Sequence, residues 1–146
     1  MSKLEADTCI FCQVLAGTLP ASVVYRDEHV LAFMDVSPVI DGHVLVIPTY
    51  HTPDLSGLDD ESGGRIFATG RRIAAALRQS GLPCEGINFF LADGAPAGQT
   101  VFHAHLHVIP RRRGDGLGFR HGEGPSRGRP SRVELDELAR RLAARC

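Results

Sequence analysis

Apolar positions along the chain fall into short runs separated by turn formers. Residues 9–16 predict a short helix that closes at Gly17, and Pro20 then releases the chain into an extended Val23–Arg26. Asp27-Glu28 reads as a turn. The runs VLAFMD at 30–35 and VLVIP at 44–48 read as two further strands, with Pro38 and Gly42 breaking any regular element between them. Together the three strands predict an antiparallel meander. Acidic residues at 59–61 then open a helical pattern that runs to about Gln79 through Ile66, Ile73, Ala76 and Leu77. Gly81-Leu82-Pro83 ends it, and Gly63 and Gly64 weaken its first turn. Two more strands are expected at 86–93 and 101–110, joined by the small-residue loop GAPAGQ, which lets backbone come close to a ligand.

Beyond Pro110 the pattern changes. Residues 111–131 are rich in glycine and arginine without apolar periodicity and read as an arm, followed by a short amphipathic helix over 133–145. The expected organisation is an α+β core at 1–110 and a basic appendage at 111–146, with no internal repeat.

Length supports one compact domain: 146 residues, 43% hydrophobic, can bury a core without disulfides. The net charge of −1 hides an uneven distribution, since residues 1–110 hold 6 basic and 12 acidic side chains and residues 111–146 hold 10 basic and 5 acidic. A basic tail can meet nucleic acid or acidic phosphates. It is more ordinarily a solvated end, and no nucleic-acid partner is expected. No apolar run approaches the roughly 18 residues of a membrane span, and the N-terminus lacks the basic-then-apolar order of a signal peptide, so a cytoplasmic location is expected. Of four cysteines, Cys9 and Cys12 form a C-x-x-C pair, while Cys84 and Cys146 have no neighbour.

The chemistry concentrates in HAHLHVIPR. On an extended strand His103, His105 and His107 would share one face, with Ala104, Leu106 and Val108 on the other. One candidate role is metal ligation, imidazole being the commonest protein ligand. Against a single ion held by all three, His103 and His107 would lie about 13 Å apart at ~3.3 Å per residue. The other candidate is nucleophilic catalysis by the central His105, with its neighbours stabilising an anion. A histidine nucleophile suits phosphorus, because the phosphoramidate forms and hydrolyses readily.

The segment has the His-x-His-x-His-x-x form and resembles the histidine triad superfamily of nucleotide hydrolases and transferases. CIFCQVLAGTLPASVVYRDEHVLAFMDVSPVIDGHVLVIP is similar to that family's N-terminal half and GINFFLADGAPAGQTVFHAHLHVIPRRRGDG to its C-terminal half, so the likeness covers about residues 9–116. It implies a five-stranded antiparallel sheet with one main helix, and a homodimer whose sheets join. His105 is then the nucleophile, His103 and His107 its phosphate-binding partners, and His43 the residue that orients them. Gln99 and Thr100 would contact the α-phosphate. Asp35 would accept from the ribose hydroxyls, and Phe11, Val14, Leu19, Phe33 and Val36 would surround the base. Without the motif, Asp35 reads as a strand-end aspartate and the apolar five as core.

One departure stands out. Many relatives carry Asn or Gln where this chain has Ala92, and Asn88, on the same strand parity, is the candidate substitute. Cys9, Cys12, His51 and His103 resemble a structural zinc set of some bacterial members, the alternative being two buried free thiols. The resemblance thus implies an enzyme acting at the α-phosphate of adenosine nucleotides, on phosphoramidates or dinucleoside polyphosphates, through a nucleotidyl-histidine. A nucleotide-binding module without catalysis and a zinc-dependent hydrolase are the competing readings. Relatives also use C-terminal segments to tune specificity, but no residue of this arm is assigned.

Overall fold

A computed structural model describes residues 8–118 and 130–146. Residues through Asp115 form one unit and those from Gly116 a second. In the first unit the elements follow in the order α1 (Ile10–Ala16), β1 (Val23–Arg26), β2 (Val30–Met34), β3 (Val44–Pro48), α2 (Asp60–Gln79), β4 (Gly86–Phe90) and β5 (Leu106–Arg111). The five strands form one sheet in the order β1-β2-β3-β5-β4, and every neighbouring pair is antiparallel.

The sheet is covered on both faces, which explains why VLAFM and VLVIP are continuously apolar rather than alternating. Alternate residues Val30, Ala32, Val44, Val46, Leu106 and Val108 pack with Ile66, Ile73 and Leu77 of α2. The opposite parity, Leu31, Phe33, Leu45 and Ile47, packs with Phe11 and Val14 of α1. Each face removes its own apolar stripe from water, the dominant favourable term in folding. Because α1 is only 7 residues long, it covers its face of the sheet incompletely, and there the cavity opens.

Local chemistry sets the ends of α2. Asp59 caps it by accepting from the Ser62 amide at 2.7 Å, Asp60 and Glu61 lie in its first turn and Arg78 in its last, each on the side the helix dipole favours. Gly70 lets the helix approach the sheet, since a Cβ there would stand 3.0 Å from Leu106 and 3.1 Å from Phe89.

The last expected strand differs most from the sequence reading. Over 101–110 only the part from Leu106 is strand, and it runs one residue past Pro110 to Arg111. The stretch holding His103 is irregular backbone, anchored where the Ala104 amide donates to the Thr52 carbonyl at 2.7 Å. β4 likewise stops at Phe90 rather than 93. In the second unit, α3 (Arg132–Ala143) starts with a reciprocal capping box between Ser131 and Glu134. Residues 119–129 of the expected arm lie outside the described residues. None of the described helices is long and apolar enough to cross a membrane.

Candidate active site

Beside α1 the sheet carries a cavity of about 440 Å³, within the range typical of small-ligand sites. Phe11, Val14, Leu19, Phe33 and Val36 line it, as do Asp35, His43, Thr100, His105 and His107. The five apolar residues named from the sequence therefore share one cavity with Asp35, His43, Thr100, His105 and His107. Ile10, Val39, Leu45 and Val101 also line it; from the sequence each is an ordinary apolar residue with no separate signal.

His105 is held in one tautomer. Its Nδ1 lies 2.6 Å from the carbonyl oxygen of His103, an atom that can only accept, so Nδ1 carries the proton and Nε2 keeps its lone pair. That carbonyl lies only two residues earlier in the chain, where the backbone is irregular ahead of the strand that begins at Leu106. Phe11 packs edge-on against the imidazole with centroids 5.2 Å apart, and burial holds the pKa of His105 below its ordinary 6.5. At neutral pH the imidazole is therefore uncharged.

His107 is fixed by a second chain of contacts. The Val39 amide donates to His43 Nδ1 at 3.3 Å, which makes His43 Nε2 the protonated nitrogen, and that atom lies 2.8 Å from His107 Nδ1. His107 must then carry its own proton on Nε2. Burial, followed by the neighbouring His105 and His43, pushes its pKa down to about 4. It is thus a neutral donor. Gly42, at φ 90°, turns the chain into His43, and a Cβ there would stand 2.9 Å from Leu82. The Asp35 carboxylate accepts from the Ser37 amide at 2.8 Å and sits 3.4 Å from His43 Nδ1.

His103 is turned elsewhere. It does not share a face with His105 and His107, because the chain is not a strand at that point. Its Nε2 donates to the Pro48 carbonyl at 3.1 Å, leaving the Nδ1 lone pair 3.6 Å from each of Cys9 Sγ and Cys12 Sγ. His51 Nδ1 lies 3.3 Å from Cys12 Sγ, and the four ligand atoms lie within 4.8 Å of one another. Tetrahedral zinc with two sulfur and two nitrogen ligands spaces its donors about 3.5 Å apart. The residues fit such an ion, and the Pro48 carbonyl is the outer-shell partner that fixes a ligating imidazole. Without a cation, burial and the adjacent Cys9 push the Cys12 thiol up to about 11.

Two expected contacts are placed differently. Gln99 is buried with its amide fully engaged: Nε2 donates to the carbonyls of Pro53 at 2.5 Å and Val101 at 3.1 Å, and Oε1 accepts from the Gly94 amide at 2.7 Å. It shapes the loop ahead of the histidines and does not line the cavity. Asn88 accepts from Arg111 Nη1 at 2.6 Å, so it does not replace the polar group missing at the buried Ala92.

Comparison with known proteins agrees with this geometry. The HIT domain family matches residues 16–114. The Bacillus subtilis protein called "Protein hit" is 46% identical over 114 residues, 77% of this chain and 78% of that one. The crystal structure of a zinc-bound histidine triad family protein from Mycobacterium smegmatis superimposes with a TM-score of 0.74 at 44% identity, covering 96% of each chain. An adenylylsulfatase of Arabidopsis thaliana is 32% identical over 119 residues, 79% of this chain and 60% of that one. With its fold, its His-x-His-x-His run and these matches, the chain belongs to the histidine triad family.

Proposed function

We propose that this protein is a nucleotide hydrolase or nucleotidyltransferase in which His105 attacks the α-phosphorus of an adenosine nucleotide derivative. One observation carries this: the His103 carbonyl locks the His105 proton on Nδ1, so a lone pair on Nε2 is available inside a cavity that also holds an apolar slot and the Asp35 carboxylate. The Arabidopsis relative's name, adenylylsulfatase, supports chemistry at an adenylyl group.

In the first step the Nε2 lone pair forms a bond to phosphorus. The bond from phosphorus to the leaving nitrogen or oxygen breaks, and its electron pair departs with the leaving group, which takes a proton from solvent if it is an amine. The imidazole becomes a cation still donating from Nδ1 to His103. Water then adds to phosphorus and gives up a proton to solvent, the bond to Nε2 breaks, its pair returns to the ring, and AMP leaves. His107, protonated on Nε2 through His43, donates to the phosphoryl oxygens as their charge builds. Thr100 adds a hydroxyl at the same place. Release of AMP from an adenosine phosphoramidate supports the proposal; AMP binding without release favours a binding module.

Asp35 is assigned to the ribose. A carboxylate accepts from both the 2′ and 3′ hydroxyls, and such charge-assisted bonds are worth about 1.5–3 kcal/mol. Asp35→Ala is expected to raise KM for a ribonucleotide substrate about tenfold while barely changing it for the 2′,3′-dideoxy analogue. Equal losses on both substrates would remove Asp35 from the ribose.

Zinc at Cys9, Cys12, His51 and His103 is proposed as structural: it would tie α1 to the segment carrying the nucleophile, and His105 would do the chemistry without it. A homodimer is proposed as well. β4 stands at the edge of the sheet, and nearby Phe67 of α2, 59% exposed, packs edge-on against Phe89 of that strand. Joining two sheets edge to edge would cover both features. Sedimentation equilibrium should return twice the chain mass of 15.8 kDa; the chain mass itself would contradict the pairing.

A further inference from the structure

The two cysteines of the proposed metal set differ in access. A second cavity, of about 710 Å³, is lined by Cys9 and His51, whereas among the described residues Cys12 lines neither this cavity nor the one that holds His105. Both cysteines are half-buried. Their Sγ atoms lie within 4.8 Å of each other, each 3.6 Å from the same Nδ1 of His103. They stand at the start of α1, Cys9 as its N-cap and Cys12 in its first turn. Phe11, between them in sequence, meets Phe33, His103 and His105 edge-on, with ring centroids 5.5, 5.9 and 5.2 Å apart. The sulfur pair therefore flanks a residue that walls the His105 cavity.

Four protein ligands leave no open position on a tetrahedral ion, so what the second cavity exposes is a sulfur. Cation binding keeps both cysteines as thiolates, the form that reacts with oxidants. Resting on the structural zinc proposed above, we propose that Cys9 and Cys12 are an oxidisable pair: a hydroperoxide entering the second cavity converts them to a disulfide, which discharges the zinc and releases α1 from His103. Cys9 reacts first. Its sulfur bonds to one peroxide oxygen, the oxygen–oxygen bond breaks, and the other oxygen leaves with the electron pair. The Cys12 thiolate then bonds to the Cys9 sulfur, whose bond to oxygen breaks, and a hydroxide departs. Both departing oxygens take a proton from solvent. The two sulfurs have lost the two electrons that the peroxide gained. Only His51 and His103 then remain as ligands, half of the tetrahedral set.

The test loads the full chain, carrying Cys84→Ser and Cys146→Ser, with zinc and treats it with hydrogen peroxide. Free zinc, read with a colorimetric chelator, is expected to rise in step with a Cys9–Cys12 disulfide in the peptide map. Tm is expected to fall by about 10 °C or more, and a thiol reductant with added zinc restores it. The order of attack is read by adding Cys12→Ser or Cys9→Ser to the same chain. With Cys12→Ser, peroxide leaves a sulfenic acid on Cys9 that dimedone traps; with Cys9→Ser, labelling of Cys12 is at least about tenfold weaker. Zinc retained after treatment, or zinc released with sulfinic acid and no disulfide, overturns the proposal while structural zinc stands. Equal labelling of the two cysteines overturns entry through the second cavity. A chain that takes up no zinc overturns structural zinc, and the proposal with it.

Discussion

His105→Ala releases AMP at least about 10⁴-fold more slowly than the wild type, the scale on which removing a covalent nucleophile acts, while its affinity for AMP stays within a few-fold. In the proposed reading the apolar slot and Asp35 do the holding, and the substitution takes from that slot the edge-on contact of Phe11 with the His105 ring. The wild-type pH profile of kcat/KM follows from the same site. Burial lowers the His105 pKa from 6.5, so the neutral nucleophile dominates at pH 7 and persists as pH falls through 6.5; the acid limb of turnover is expected below that value. Turnover by His105→Ala at a comparable rate would place the chemistry on another group, and an acid limb above 6.5 would contradict a buried, neutral imidazole.

Removing the metal set acts on stability rather than on chemistry. Cys12→Ser leaves three of the four proposed zinc ligands, and the free energy of ion binding is then largely lost from the folded state. The expected fall in Tm is about 10 °C or more, from roughly 3 °C per kcal/mol for a chain of this length. Chelator should produce a similar fall in the wild type and almost none in the variant. AMP release per folded molecule should survive the chelator, because His105 is oriented by a backbone carbonyl rather than by the ion. Loss of all activity with an unchanged Tm would point to a zinc hydrolase instead. A wild type that binds no zinc would leave Cys9 and Cys12 as thiols, as the raised Cys12 pKa favours in the absence of a cation.

Much of the fold was written in short-range chemistry. The caps and charges of α2, the breakers at Pro38 and Gly42, and the dense apolar runs of β2 and β3 each act within a few residues, and each element formed close to where those signals stand. That Phe11 and Phe33 line a cavity was legible only through the family likeness, since they serve core and cavity at once and their periodicity does not separate the two.

His103 escaped the sequence reading for a definite reason. Alternation places side chains on one face only while the backbone stays extended, and here the chain is irregular until Leu106. The family likeness implies a phosphate contact for Gln99, yet three nearby backbone groups already use its amide. The groups that fix the histidine tautomers are backbone atoms of Pro48, His103 and Val39. Carbonyls and amides are present at nearly every residue, so no residue type announces which of them will meet a ring nitrogen.

The covalent intermediate is the most direct test of His105 as nucleophile. Wild-type protein is mixed with an adenosine phosphoramidate, quenched during turnover under conditions that preserve the phosphorus–nitrogen bond, and mapped by peptide mass spectrometry. An adenylyl group on the peptide containing His105, localised to that residue and absent from His105→Ala, is the expected result. Steady AMP release with no adduct at any quench time, or an adduct on a different side chain, would contradict it.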